Sequence, residues 1–326
     1  MPGPVLAAPF HLSGEVGETI GYNRDGNPTW ALYEQALGEL EGADVVVFAS
    51  GMAAVHAALE TTLRPGDVLV APSDGYPGLR LIAEEHLAPR GIEVRLVATS
   101  DAAVREALPG AGVVFLESPS NPGLDVLDIA AIARDTDALV LVDNTLAGPL
   151  HQPVLELGAD LAIVSATKYL TGHSDINMGY VAGRDTTKLR EWRTLTGAIP
   201  GPFETWLAHR SLPTYPLRLD RQMENARELA AMLGDRAEVS DVRYPGVGAV
   251  VCFTLADADA AQRFLGACEL VIEATSFGGL HSSAERRARW GTDDVAEGFI
   301  RFSCGIEDTA DLLADVRRGL DVLRSA

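Results

Sequence analysis

Lys168 closes a run of unusual chemical content. Leu161-Ala-Ile-Val-Ser-Ala-Thr-Lys168 is an apolar segment ending in two hydroxyls and an amine, and Thr171-Gly-His-Ser-Asp175 follows it. The chain has 26 lysines and arginines together, yet its only lysines are Lys168 and Lys188. A guanidinium does not give up its proton, whereas an amine can lose it and attack a carbonyl. A lysine kept in so arginine-rich a chain is a candidate for a Schiff base, with Ser165 and Thr167 placed to hold a phosphate. The competing reading is a surface lysine at a strand end. Lys168 taken alone leaves both open.

Three other segments could serve the same chemistry. The run Ala138–Val142 leads into Asp143-Asn-Thr145, a carboxylate at a strand end. Within hydrogen-bonding reach, a carboxylate raises the pKa of a pyridine nitrogen by roughly 1–3 units. That would keep the ring of pyridoxal phosphate (PLP) protonated, the state in which it withdraws electrons. Asp143 reads equally as a helix N-cap or a turn residue. Phe48-Ala-Ser-Gly51-Met52 precedes a helix expected from Ala53, and a glycine there lets backbone N–H groups reach a phosphate. Glu117-Ser-Pro-Ser-Asn121-Pro122 forms a rigid turn that could aim Asn121 into the same crevice, or is ordinary turn chemistry. In open α/β sheets, ligands sit beyond the carboxyl ends of the strands, which is where all these residues fall.

Competing motifs fail. No GxGxxG follows a strand, no GxxxxGK[ST] occurs, and Gly172-His-Ser174-Asp-Ile176 lacks the second glycine of a nucleophile elbow. The 7 histidines show no paired-ligand spacing, so no metal is expected, and His173 reads as a structural hydrogen-bonder.

The elements that must position these residues are legible as alternation. Short apolar runs recur at Val45–Phe48, Val68–Ala71, Val94–Val97, Val113–Leu116, Leu139–Val142, Leu161–Val164 and Tyr180–Ala182, mostly separated by helix-length segments. Continuous apolar runs are strands buried on both faces, and their alternation with helices implies a parallel sheet with βαβ crossovers. The last gap is barely long enough for a crossover, so Tyr180–Ala182 is expected to run antiparallel. After about residue 212 the texture changes. One long helix is expected over Leu217–Leu233, weaker strands at Val250–Leu255 and Ile300–Ser303, and an amphipathic helix over Asp308–Leu323. The organisation expected is a short N-terminal arm over 1–22, a large domain over 23–212 and a smaller α+β domain over 213–326.

Composition bounds the rest. With 326 residues, 47% hydrophobic and 22% charged, the chain is globular. Its net charge of −20 argues against nucleic acid and against anionic lipid as partners. Three cysteines without a CxxC pair point to a reducing compartment, and no lysine or arginine precedes Arg24, so no signal peptide is read. No run long enough for a bilayer is found, and the location expected is the cytoplasm.

Taken together, six segments are more specific than any one. Tyr22-Asn-Arg24-Asp-Gly-Asn-Pro-Thr29, Phe48-Ala-Ser-Gly51-Met52, Glu117-Ser-Pro-Ser-Asn121-Pro, Val142-Asp143-Asn-Thr145, Ser165-Ala-Thr167-Lys168-Tyr-Leu-Thr-Gly-His-Ser-Asp175 and Arg301-Phe-Ser-Cys-Gly-Ile-Glu-Asp308 occur in that order. From about Gly21 to the end, the chain resembles the Cys/Met-metabolism family of PLP-dependent enzymes. The resemblance implies an α/β chain with the type I, aspartate-aminotransferase-like fold, built on a mostly parallel seven-stranded sheet. It implies that Lys168 carries the cofactor and shuttles the substrate's protons, and that Asp143 pairs with the ring nitrogen. Gly51, Met52, Ser165 and Thr167 would hold the phosphate, and Tyr76 would stack on the ring. Tyr22 and Arg24 would reach the phosphate of a neighbouring subunit's cofactor, so the unit implied is at least a homodimer, with a homotetramer left open. Arg301, with Asn121 and Ser276, would bind the α-carboxylate of an amino-acid substrate.

The activity this implies is cleavage at Cγ–S of a sulfur amino acid, with a cystathionine γ-lyase expected first. A γ-replacement enzyme (cystathionine γ-synthase or O-acylhomoserine sulfhydrylase) is the alternative, methionine γ-lyase the third, and a non-catalytic PLP-fold protein the reading from another class. The chain departs from the family pattern in four places, one of them a short N-terminal arm before Tyr22. Pro77-Gly78-Leu79-Arg80 follows the stacking tyrosine, Thr275 stands where cystathionine γ-lyases often carry a glutamate, and a stretch after Tyr244-Pro-Gly246 is missing before Val250.

Overall fold

The computed structural model describes residues 1–12, 14–15 and 19–324. Of the arm expected over 1–22, residue 13 and residues 16–18 lie outside the described residues. Seven strands, β1 (Asp44–Phe48), β2 (Val68–Pro72), β3 (Glu93–Val97), β4 (Val113–Glu117), β5 (Leu139–Asp143), β6 (Leu161–Val164) and β7 (Gly179–Gly183), form one sheet in the order β1-β7-β6-β5-β4-β2-β3. Neighbours from β6 through β3 pair in parallel, and β7 is antiparallel to both β6 and β1. All seven apolar runs are therefore strands, and the short gap before β7 does reverse the chain.

Apart from β3, the strands are apolar along their middles because both of their faces are covered, whereas the edge strand β3 carries Glu93 and Arg95 and is only partly buried. In β1, Val45 and Val47 join a core cluster that includes Tyr33 of α1 (Pro28–Glu41) and Leu219 and Leu229 of α8 (Tyr215–Gly234). Val46 and Phe48 face the other way, into a cluster with Ala54 and Ala58 of α2 (Gly51–Thr62) and Leu189 of α6 (Thr187–Thr196). Shorter helices α3 (Pro77–Ile82), α4 (Asp101–Ala107) and α5 (Ile129–Arg134) lie along the crossovers, and α7 (Pro202–Ser211) packs on α1. Helix α2 starts two residues earlier than the Ala53 expected, because the Ser50 side chain caps it by accepting the N–H of Ala53 at 3.1 Å.

Beyond α8 a second sheet is built from β8 (Ser240–Arg243), β9 (Val250–Thr254), β10 (Ile272–Glu273), β11 (Ser283–Arg286) and β12 (Phe299–Ser303), in the order β10-β11-β12-β9-β8. Helices α9 (Ala258–Ala267) and α10 (Thr309–Asp321) cover it. Strands β9 and β12, the long helix and the tail helix match expectation. Strands β8, β10 and β11 carry no apolar run, so they gave no signal; β8 is held by pairing to β9, β11 by pairing to β12, and β10 by pairing to β11. Where a stretch seemed missing, Gly246 and Gly248 take φ of 82° and 65° and close a short β8–β9 connection. Only glycine adopts such angles cheaply. Among the described residues, no helix is long and apolar enough to cross a membrane.

Candidate active site

The carboxyl ends of β1, β4, β5 and β6 open on one cavity of about 430 Å³, closed from the other side by the segment 275–277 and by Arg301 of β12. Lys168 lies just past β6 on a turn in which its N–H donates to Ser165 O at 3.2 Å. Its Nζ donates to Ser276 Oγ at 2.7 Å and sits 4.9 Å from the centre of the Phe277 ring. Ser276 takes φ of 81°, a left-handed conformation unusual for serine. Burial, helped by the Arg301 guanidinium, lowers the Lys168 pKa to about 8, against the opposing pull of Asp143 and Glu285. The amine thus sheds its proton far more readily than an exposed lysine.

Register places two carboxyls side by side. Glu117 at the end of β4 pairs directly with Asp143 at the end of β5. Glu117 accepts the backbone N–H of Tyr76 at 2.7 Å and of Asn121 at 2.8 Å, which pins both loops that carry them. Asp143 accepts the N–H of Thr145 at 2.9 Å. Burial raises both carboxyls, and the charge of Asp143 helps push Glu117 up to about 8. This is an acidic pair short of a cation. A protonated ring nitrogen beside Asp143 would supply one.

The opposite end of the cavity is built for an anion. Ser50, Gly51 and Met52 at the N-terminus of α2 line it, together with Ser165 and Thr167. Free N–H groups and the helix dipole favour a phosphate there. A Cβ on Gly51 would lie 2.7 Å from Cβ of Ser165, so only glycine lets α2 approach the end of β6 this closely. The Thr167 hydroxyl donates to Met178 O at 3.1 Å and accepts Met178 N–H at 2.9 Å, so a phosphate would compete for its proton. Tyr76 lines the cavity between these ends with its side chain partly exposed. Gly78 makes room for that ring, since a Cβ there would lie 2.7 Å from Tyr76 Cε1. An amine, an acidic pair and a phosphate cradle in one cavity fit the three polar ends of pyridoxal phosphate.

Arg301 is buried on β12 and donates from Nη1 to Asn121 Oδ1 at 2.8 Å and from Nη2 to Ser276 O at 3.3 Å. It is also ion-paired with Glu285, its direct cross-strand partner on β11. The cavity thus brings together Lys168, Tyr76, Gly51, Met52, Asp143, Ser165, Thr167, Asn121, Ser276 and Arg301. Tyr22 and Arg24 are not among its lining residues. Both are exposed, and Arg24 donates to Thr194 O at 2.7 Å. Sequence reasoning quoted Glu117 without giving it a role and missed Glu285 and Arg287. Glu117 could have been found as the acid ending the strand beside Asp143. Glu285 lies on β11, a strand without an apolar signal, and Arg287 lies just beyond its end. Among the described residues, no group of acids, histidines and cysteines could hold a metal.

The chain belongs to the Cys/Met metabolism PLP-dependent enzyme family, whose model matches residues 8–321. It is an enzyme, its cofactor is pyridoxal 5′-phosphate, and the non-catalytic reading falls. Among its relatives is a putative cystathionine gamma-lyase of Streptomyces coelicolor, 50% identical over 348 aligned positions that cover 98% of this chain and 88% of the relative. An L-methionine gamma-lyase of Pseudomonas deceptionensis is 36% identical, with 94% of this chain and 87% of that one aligned. A solved structure of cystathionine gamma synthase from Xanthomonas oryzae pv. oryzae in complex with cystathionine superposes with a TM-score of 0.95 at 32% identity, covering 99% of this chain and 93% of that one. These similarities support carbon–sulfur lyase or replacement chemistry on an amino acid.

Proposed function

We propose that the chain is a cystathionine γ-lyase, which cleaves the Cγ–S bond of cystathionine to give cysteine, 2-oxobutanoate and ammonia. The observation that carries the catalytic assignment is the Lys168 amine, buried, lowered in pKa and held 2.7 Å from Ser276 in the cavity that Arg301 closes. Bound pyridoxal phosphate supplies an electron sink for the substrate's Cα and Cβ. The residues of the chain then divide the remaining work.

Arg301 takes the substrate's α-carboxylate, oriented by Asn121 and by Ser276 O. A guanidinium fork suits a carboxylate, and its hydrogen bonds fix the angle of approach. Lys168 carries the proton taken from Cα, since a lysine with a pKa of about 8 exchanges protons readily near neutral pH. Asp143, backed by Glu117, holds a proton on the ring nitrogen. Tyr76 covers the ring and excludes water from that face. Gly51, Met52, Ser165 and Thr167 fix the phosphate. Tyr22 and Arg24 complete the phosphate site of a second copy, so the working unit is a homodimer at least. We place it in the cytoplasm, a reading supported by the three free cysteines.

The 50% identity to a relative named as a putative γ-lyase favours elimination over replacement. The second reading, γ-replacement, draws on the cystathionine gamma-synthases of Mycobacterium tuberculosis at 38% identity and on the Xanthomonas likeness. The test is incubation of PLP-loaded protein with L-cystathionine alone, assayed for 2-oxobutanoate. Rapid keto-acid release supports the lyase. An intact cofactor spectrum with no keto acid, together with turnover of an O-acylhomoserine plus thiol, replaces it with the second reading.

A further inference from the structure

Two of the places where the chain departs from its family's pattern meet behind Arg301. Glu285 is almost fully buried and accepts from four donors. They are Arg301, Arg287 Nη1 at 3.0 Å, Trp290 Nε1 at 2.9 Å and Thr275 Oγ1 at 3.3 Å. Arg287 follows two residues later, just past the end of β11, in a short helical turn over Arg287–Trp290. Its Nε donates to Asp293 Oδ2 at 2.9 Å, and its Nη2 is ion-paired with the same carboxylate. Asp293 lies in turn 3.8 Å from Arg80, which donates to Ser73 O at 3.0 Å and to Thr292 O at 2.7 Å. The result is a ladder of alternating charge, Arg80–Asp293–Arg287–Glu285–Arg301, buried except at its partly exposed Arg80 end. It ties the segment after Tyr76 to the small sheet.

Arg287 also lines the cavity, beside Thr275 and Arg301. Its bonds to Asp293 and Glu285 use three of the five N–H groups a guanidinium offers. Glu285 already accepts from four donors, two of them guanidinium groups, so its charge is neutralised within the wall. The acids that do line the cavity, Glu117 and Asp143, sit at the strand ends on the far side. The wall at Thr275 therefore presents a fixed cation and a neutral hydroxyl, and no available anion. We propose that Arg287 is a second substrate-recognising arginine, which takes a carboxylate at the distal end of the substrate. Glu285 and Asp293 are its positioning residues. The inference rests on the proposed function, in which Arg301 holds the α-carboxylate of the same molecule. It narrows the substrate class to amino acids whose leaving arm ends in a carboxylate.

Two pairs of substrates, each sharing an amino-acid core, test it on the PLP-loaded enzyme. O-succinyl-L-homoserine and O-acetyl-L-homoserine differ chiefly in the distal carboxylate; L-cystathionine differs from L-methionine in the whole zwitterionic end of its leaving arm, so it probes the same wall with an ammonium present beside the carboxylate. All four are assayed as 2-oxobutanoate. The wild type should favour the carboxylate-bearing member of each pair by about tenfold or more in kcat/KM, mainly through KM. In Arg287→Met that ratio should fall toward one, and in Arg287→Lys it should survive in part, because the charge remains without the fork. Using ratios within one variant cancels any general loss from leaving Asp293 and Glu285 unpaired. A wild-type ratio near one overturns the inference while leaving the lyase reading standing. So does an Arg287→Met enzyme that slows on both members equally, which would make Arg287 purely structural. If none of the four is turned over with the cofactor bound, the proposed function falls and the inference with it.

Discussion

Burial and the nearby Arg301 guanidinium bring the pKa of Lys168 down to about 8, and this sets a pH signature that an exposed lysine would not have. The protonated amine cannot attack the cofactor's aldehyde; the neutral amine can. Below pH 8 the folded apoprotein holds a mostly charged Lys168, and the neutral fraction rises as pH passes through 8. The rate of covalent PLP uptake by the apoprotein should therefore climb with pH to a midpoint near 8 and then level off. Stopped-flow absorbance at constant ionic strength reads this directly. A rate that keeps rising tenfold per pH unit above about pH 9 would mean that Lys168 titrates like an ordinary lysine. The acidic pair carries the opposite sign. Burial raises Glu117 and Asp143, so they resist losing their protons until a cation arrives at the ring-nitrogen position.

At the scale of elements, the phosphate cradle depends on how closely α2 meets the end of β6. Gly51→Ala would put a methyl 2.7 Å from Cβ and 2.8 Å from Oγ of Ser165. Relief requires α2 or the Ser165 turn to shift, at a cost of about 1–3 kcal/mol. Cofactor affinity should fall with stability, measured as a higher PLP Kd and a lower melting temperature. An alanine variant with the wild-type Kd would show that this close approach does not matter. The same strand ends mark the limit of what the sequence discloses. Strands buried on both faces write themselves as apolar runs, so β1 through β7 were legible, and so was the antiparallel β7. Lys168, Asp143 and Gly51 follow such runs and could be read from chemistry alone. Arg301 could not: among so many arginines, only its resemblance to a family motif singles it out, and only the cross-strand pairing with Glu285 explains how it is held. Glu285 and Arg287 were illegible because β11 is short and polar. Its pairing to β12 sets its place.

The whole molecule raises the question of how many chains make one site. Tyr22 and Arg24 are exposed and do not line the cavity of their own chain, and the role proposed for them in a second copy is open to a direct test. Mixing Lys168→Ala and Arg24→Ala proteins after unfolding and refolding them together tests this. In a homodimer that shares residues, half of the sites in each mixed dimer are intact, and random pairing should restore about a quarter of wild-type activity. Activity that stays at the sum of the two parents would place Arg24 in its own chain or outside the site. The paucity of lysine makes the central claim unusually direct to check. Reducing the PLP-loaded protein with borohydride fixes the cofactor to the amine that holds it, and only Lys168 and Lys188 offer a lysine side chain. Peptide mass mapping should find the label on the peptide containing Lys168, absent from Lys168→Ala. Label on Lys188, or a Lys168→Ala protein still labelled and still absorbing like the wild type, would contradict the assignment of this cavity as the active site.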